Sequence, residues 1–150
     1  MTPSTPTLTL AEDRKVLRAF GEEVYLTITG EETDGRYAQW LEITPPGGGP
    51  PPHYHTREDE WFYVLQGTVR FLKDGEWLEA GPGSGAFMPR DSVHTFQNCG
   101  DTPLHMIVTT APAGFENFFG KAADEFAKEG GPDMARVIEI AGEHGIHFVT

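Results

Sequence analysis

The fold of this chain turns on the stretch Gly47-Gly48-Gly49-Pro50-Pro51-Pro52-His53-Tyr54-His55-Thr56-Arg57-Glu58-Asp59-Glu60-Trp61-Phe62-Tyr63-Val64-Leu65-Gln66-Gly67. Its Gly/Pro half excludes helix and central strand, because proline lacks the amide donor and glycine lacks the conformational preference. A rigid, extended approach is predicted there. Beyond it the spacing predicts a short strand from His53 to Thr56, a turn through Asp59, and a longer strand from Glu60 to Leu65. In an extended segment His53 and His55 project from one face and Tyr54 from the other. In the next strand Glu60, Phe62 and Val64 share a face, and Trp61, Tyr63 and Leu65 take the opposite one. Antiparallel pairing of the two would set a carboxylate beside two imidazoles.

That set has a definite chemistry. Two imidazoles and one carboxylate hold a first-row transition metal while leaving coordination positions open. His94, on a later predicted strand, adds a fourth candidate ligand. Imidazole nitrogens with a single carboxylate oxygen suit Fe, Mn, Ni, Co, Cu or Zn and are wrong for calcium. One divalent transition metal per chain is therefore the expected cofactor. Asp59 competes with Glu60 for the carboxylate place. Glu60 is preferred, because it keeps the register to Gly67 and its side chain reaches further.

The surrounding sequence has the same texture. Strands are predicted at Lys15–Phe20, Glu22–Thr29 and Arg36–Thr44 on one side. On the other they fall at Thr68–Lys73, Glu76–Glu79, Gly85–Pro89, His94–Asn98 and Leu104–Thr110. The turns between them carry Gln66-Gly67, Asp74-Gly75 and Gly81-Pro82-Gly83, and Asp74-Gly75 between two β-rich runs is a strong hairpin signal. With 18 glycines and 12 prolines in 150 residues, the chain reads as an all-β sandwich or barrel of the jelly-roll kind. From Gly114 the period changes. Phe115, Phe118, Phe119, Ala122 and Phe126 mark a helix through Lys128. A second helix begins near Pro132, carries Met134, Val137, Ile138 and Ala141, and stops at Gly145. The expected organisation is a flexible tail over 1–13, a barrel over 14–112 and a helical extension over 113–150 packed on the barrel.

A net charge of −12 and a pI near 4.8 repel phosphate backbones and anionic lipid, so neither nucleic acid nor membrane is an expected partner. The longest apolar run, Trp61 to Leu65, is far too short to span a bilayer. The Thr/Pro/Ser-rich start carries no apolar core of a signal peptide. The lone Cys99 sits in a turn and fits a reducing compartment, so the expected location is cytoplasmic.

Gly47-x5-His53-x-His55-x4-Glu60-x6-Gly67 resembles the first motif of the cupins. Gly83-x5-Pro89-x-Asp91-x2-His94-x3-Asn98 resembles the second, with Asp91 where glycine is usual. Aspartate tolerates the positive φ that such a turn position demands. The His53–Gly67 run, followed by Pro112-Ala113-Gly114-Phe115-Glu116-Asn117-Phe118-Phe119, is similar to quercetin 2,3-dioxygenase-like single-domain cupins. The resemblance implies a double-stranded β-helix with two short C-terminal helices, metal on His53, His55, Glu60 and His94, and a homodimer. It implies a dioxygenase acting on a small aromatic or enol-like molecule, with Glu60 as ligand and proton acceptor. Phe62, Val64, Met88, Phe96 and Met106 would form the apolar wall. Two alternatives stand beside it. One is a non-catalytic, metal-containing module that binds a small molecule. The other is a metal-dependent isomerase or lyase of a small polar acid or sugar, which needs an inward cation from Arg36, Arg70 or Arg90, with Arg57 at the mouth. His105 is a candidate for a supporting role, and His144 and His147 are expected at the surface.

Overall fold

The structure, a computed structural model, describes residues 5–149. Eleven strands form: β1 (Lys15–Ala19), β2 (Glu22–Ile28), β3 (Ala38–Thr44), β4 (His53–His55), β5 (Asp59–Gln66), β6 (Val69–Lys73), β7 (Glu76–Ala80), β8 (Gly85–Met88), β9 (His94–Asn98), β10 (Leu104–Ala111) and β11 (Ile146–Phe148). Helices α1 (Phe115–Phe126) and α2 (Met134–Glu143) lie between β10 and β11. The strands make two antiparallel sheets, ordered β1-β2-β3-β10-β5-β8 and β11-β4-β9-β6-β7. This is the jelly-roll architecture, a β-sandwich with two helices.

Period-two alternation decides what faces inward. On β5, Glu60, Phe62 and Val64 are buried while Trp61, Tyr63 and Leu65 are exposed. On β3, Ala38, Trp40, Glu42 and Thr44 are buried, so Gln39, Leu41 and Ile43 take the outer face. The alternation on β2 breaks at its end: a register shift between Leu26 and Ile28 leaves Ile28 only half-buried. Asp74 and Gly75, both at positive φ (49° and 78°), close the β6–β7 hairpin, because the twist of the strands is matched by a turn of that hand. Asp91 has φ 70°, the conformation its place in the second motif demands.

The C-terminal extension is stitched to the barrel by aromatic packing. Trp40 is fully buried and stacks on Phe115 at 5.2 Å, and Phe20 packs at 4.8 Å on Phe126. The Glu116 carboxylate accepts from the amides of Gly114 (2.6 Å) and Gly30 (2.8 Å), tying the start of α1 to the loop after β2. Asp133 caps α2 by accepting from the amides of Ala135 and Arg136. Pro132 therefore precedes the cap rather than opening the helix, and α1 ends at Phe126 instead of Lys128. Strand β11 is a further element that the spacing of apolar residues does not predict. Of the expected tail, residues 1–4 lie outside the described residues. Thr7 hydrogen-bonds Glu32, and Ala11–Asp13 form a short 3-10 turn. No described helix is long and apolar enough to cross a membrane.

Candidate metal centre

Strands β4, β5 and β9 bring four side chains to one point. His53 pairs with His94 across β4 and β9, while Glu60 reaches in from the facing sheet. The ligand atoms of His53, His55, Glu60 and His94 all lie within 4.8 Å of one another, and all four residues are buried. Each imidazole spends its Nδ1 on an acceptor outside the cluster. His53 donates to the Pro51 carbonyl (2.8 Å), His94 to the Ser92 carbonyl (3.0 Å), and His55 to the Glu58 carboxylate (2.5 Å). Three Nε2 atoms are thereby left facing the centre. This is how ligating imidazoles are held, with the outer nitrogen fixing tautomer and ring plane.

The donor set fits a metal ion. His55 Nε2 is buried with no hydrogen-bond partner, an arrangement that costs energy unless something accepts its lone pair. His94 Nε2 lies 3.1 Å and His55 Nε2 3.7 Å from Glu60 Oε1. Three nitrogens and one oxygen match Fe, Mn, Ni, Co, Cu or Zn. Asp59 turns away from this point. Its carboxylate accepts from the amide of Arg90 at 2.9 Å and from its guanidinium at 3.2 Å, and Arg90 holds it below the usual carboxylate range.

The protonation pattern follows from neighbours. Burial, together with the charges of His94 and His55, pushes His53 down to about 3, so that imidazole is neutral. Burial also acts downward on His55, but its bond to Glu58 and the charges of Glu60 and Glu58 outweigh it and the net shift is upward. Glu60 moves the other way. Burial would raise it, yet the His94 hydrogen bond and the surrounding imidazoles bring it below its ordinary value. A carboxylate that stays ionised when buried is what a ligand position requires.

His53, Glu60 and His94 open onto a cavity with about 30 Å³ of space for water-sized occupants. On that measure roughly 10–15 Å³ holds one water, so there is room for two or three. Phe62 and Phe96 line it, as their strand faces suggest. Val64, Met88 and Met106 are buried in the core and do not line it. The rest of the apolar wall comes from Phe20, from Pro50 of the first motif, and from Phe115, Phe118, Phe119, Ile146 and Phe148 of the extension.

Three carboxyls that the motifs do not mark belong here. Glu58 orients His55; its signal was a carboxylate three residues after a ligand in a tight turn. Glu22 and Glu42 both line the cavity and are only 2% and 5% exposed. Glu22 accepts from the Thr44 hydroxyl (2.8 Å), Glu42 from Trp40 Nε1 (2.8 Å), and the two carboxyls bond each other. Burial pushes Glu22 well above the usual range, and the Glu42 charge adds to it. Burial raises Glu42 as well, against the hydrogen bonds it receives from Glu22 and Trp40. Their signal was a charged residue on the apolar parity of a strand, beside Val24 and Leu26 or beside Ala38 and Trp40.

The basic candidates stay outside. Arg70 bonds Gln97 and lies over Trp77, Arg36 bonds the Thr33 carbonyl, Arg90 bonds Asp59, and neither they nor Arg57 line the cavity. His105 is half-buried opposite Ile43, away from the cavity, and His147 is half-buried against Tyr54 at 5.1 Å. His144 is half-buried too, bonding the Ile140 carbonyl.

Known proteins resemble this chain in sequence and in fold. Residues 40–110 match the family described as Cupin domain. The chain is 26% identical over 107 residues to quercetin 2,3-dioxygenase of Bacillus subtilis (strain 168), covering 71% of this chain and 32% of that protein. It is 33% identical over 72 residues to polyketide synthase CurC of Streptomyces cyaneus, covering 48% of this chain and 47% of that protein. The chain thus spans about a third and about half of these two relatives. The structure of the polyketide cyclase RemF from Streptomyces resistomycificus aligns with a TM-score of 0.61 at 25% identity, over 71% of this chain and 80% of that one. The match over residues 40–110, set in a two-sheet jelly roll, makes this stretch a cupin domain.

Proposed function

We propose that this protein is a metal-dependent, dioxygenase-type enzyme acting on a small, uncharged aromatic or enol-like substrate. The observation that carries the reading is a buried three-imidazole, one-carboxylate cluster opening onto a phenylalanine-lined cavity that no Lys or Arg among the described residues enters. One divalent transition metal would sit on His53, His55, Glu60 and His94, and when bound it supplies Lewis acidity and open coordination positions. Glu60, ionised among the imidazoles, is the group able to take the proton of an enol hydroxyl. The Nδ1 bonds to Pro51, Ser92 and Glu58 hold the three rings in place through that transfer. The phenylalanines keep bulk water away from the reacting atoms.

The lack of a basic wall weighs against the isomerase or lyase of a polar acid. Among the described residues no Lys or Arg lines the cavity to bind a carboxylate or phosphate group. With space for two or three waters, a ring-sized substrate enters only as wall side chains move aside. The similarity to CurC and RemF favours one second reading, non-oxidative conversion of a neutral polyketone at the same centre. A homodimer would use the outer face that exposes Trp61, Tyr63 and Phe87.

The test is metal analysis of untagged protein, followed by oxygen uptake with flavonols and 1,3-diketones. Near-stoichiometric metal and substrate-dependent oxygen consumption, both lost in His94→Ala, are expected. Turnover without oxygen uptake would select the second reading. Ligand-induced stabilisation with no turnover would leave a binding module.

A further inference from the structure

We propose that the C-terminal strand β11 is a positioning element of the metal centre. It holds His53 and His55 where they lie, so that metal binding and the docking of residues 146–148 strengthen each other. The inference rests on the assignment of His53 and His55 as metal ligands.

The ligand strands are not held equally. Glu60 lies on β5, which is paired from Asp59 to Gln66 with β10 on one side and from Glu60 to Tyr63 with β8 on the other. His94 lies on β9, paired over five residues with β6. Strand β4 has three residues, follows the Gly/Pro stretch, and meets β9 at the single pair His53↔His94. Its other side is covered throughout by β11, in the register Ile146↔His55, His147↔Tyr54 and Phe148↔His53. The pairing runs on past both ends. The amide of Thr56 donates to the Gly145 carbonyl at 2.8 Å, and the amide of Val149 donates to the Pro52 carbonyl at 3.0 Å.

Side chains follow the backbone. The His147 ring stacks on Tyr54 at 5.1 Å, and the Phe148 ring lies 6.0 Å from that of His53. Gly145 allows the close approach. It has φ +75°, and a Cβ there would fall 2.6 Å from Thr56 Oγ1. The Nδ1 bonds of His53 and His55 set the tilt of each ring from within 51–58. On its β9 side the strand is held by the His53↔His94 pair and by the Asp91 amide, which donates to the His55 carbonyl at 2.7 Å; β11 supplies the full ladder on the other side. Strand β11, a three-residue edge strand with β4 as its one sheet neighbour, opens locally at low cost. Metal bound to His53 and His55 would be lost in that opening, so it favours the paired state, and the coupling factor is the same in both directions. Ile146 and Phe148 also line the cavity, so the paired state is the one in which the cavity is walled.

The experiment measures Zn²⁺ affinity of the full chain by competition with a chromogenic chelator, in wild type and in His147→Pro and Gly145→Ala. Amide hydrogen exchange of residues 146–149 is followed with and without Zn²⁺. Proline at 147 removes a ladder donor at the centre of β11. Zn²⁺ affinity should fall about tenfold in His147→Pro, and Zn²⁺ should slow exchange at 146–149 in wild type by a similar factor. Ile140→Val, a destabilising change in α2 away from the ladder, should leave Zn²⁺ affinity within about twofold of wild type. Should His147→Pro fail to fold, Gly145→Ala and the wild-type exchange comparison decide. Zn²⁺ that binds wild type tightly but leaves exchange at 146–149 unchanged overturns the proposal while the metal assignment stands. Failure of wild type to take up Zn²⁺ at all overturns both.

Discussion

The two ends of the cavity use the same side chain in opposite ways. At one end Glu60 is fully enclosed, yet three imidazoles lower its pKa and it remains a carboxylate. At the other, Glu22 and Glu42 are as deeply buried, face each other instead of nitrogen bases, and are pushed upward toward the neutral acid. Burial alone favours protonation in all three. The difference lies in the partner: an opposite charge or a donor repays desolvation, and a like charge adds to it. A buried carboxylate therefore becomes a ligand through its neighbours. One cavity thus offers an ionised oxygen for a cation at one end and a proton at the other.

That contrast can be broken most sharply at Glu60. Glu60→Gln keeps the shape and removes the charge, and metal content by mass spectrometry should fall by about a hundredfold or more, on the order of the strongest effects seen when metal surroundings are altered. A smaller loss, about tenfold in Zn²⁺ affinity by chelator competition, is expected of Glu58→Gln, which leaves all four ligands and weakens only the partner of His55.

The carboxyl end should respond to pH instead of metal. An acid with a raised folded pKa keeps its proton in the folded chain while the unfolded chain releases it. Above about pH 4.3, each rise in pH therefore costs stability until the pair itself ionises. Denaturation of metal-free protein followed from about pH 5 to about pH 8 should show this decline in wild type. The double variant Glu22→Gln/Glu42→Gln should flatten it and gain about 1–2 kcal/mol at about pH 8. A slope unchanged in the variant would mean that the pair is ionised in the folded chain.

The smallest effect is expected of Asp59→Asn. Its partner Arg90 is exposed, and such pairs contribute little. Metal affinity should be unchanged and the melting temperature nearly so. A loss of metal in this variant would return the carboxylate position to Asp59.

Much of the candidate ligand set is legible in the amino-acid sequence. The spacing His53-x-His55 puts both rings on one face, and Glu60 follows on a strand whose parity continues through buried Phe62 and Val64. These are short-range facts of an extended backbone, and a two-residue period carries them. Parity tells which face a side chain takes. It does not tell how far along the barrel that side chain sits. Val64, Met88 and Met106 face inward as expected, yet they fill the core, and the cavity wall there is built by helix α1 and strand β11.

What the sequence by itself determined is the jelly-roll alternation, its turns, the two helices and the candidates His53, His55, Glu60 and His94, since each of these is marked by residues within a few positions of it. Only the tertiary structure decided that Asp59 is claimed by Arg90, that Glu22 and Glu42 meet, and that residues 146–148 close over β4. Those contacts join segments distant in the chain. Their energy comes from burial and from hydrogen bonds shared across sheets, and no local period encodes either.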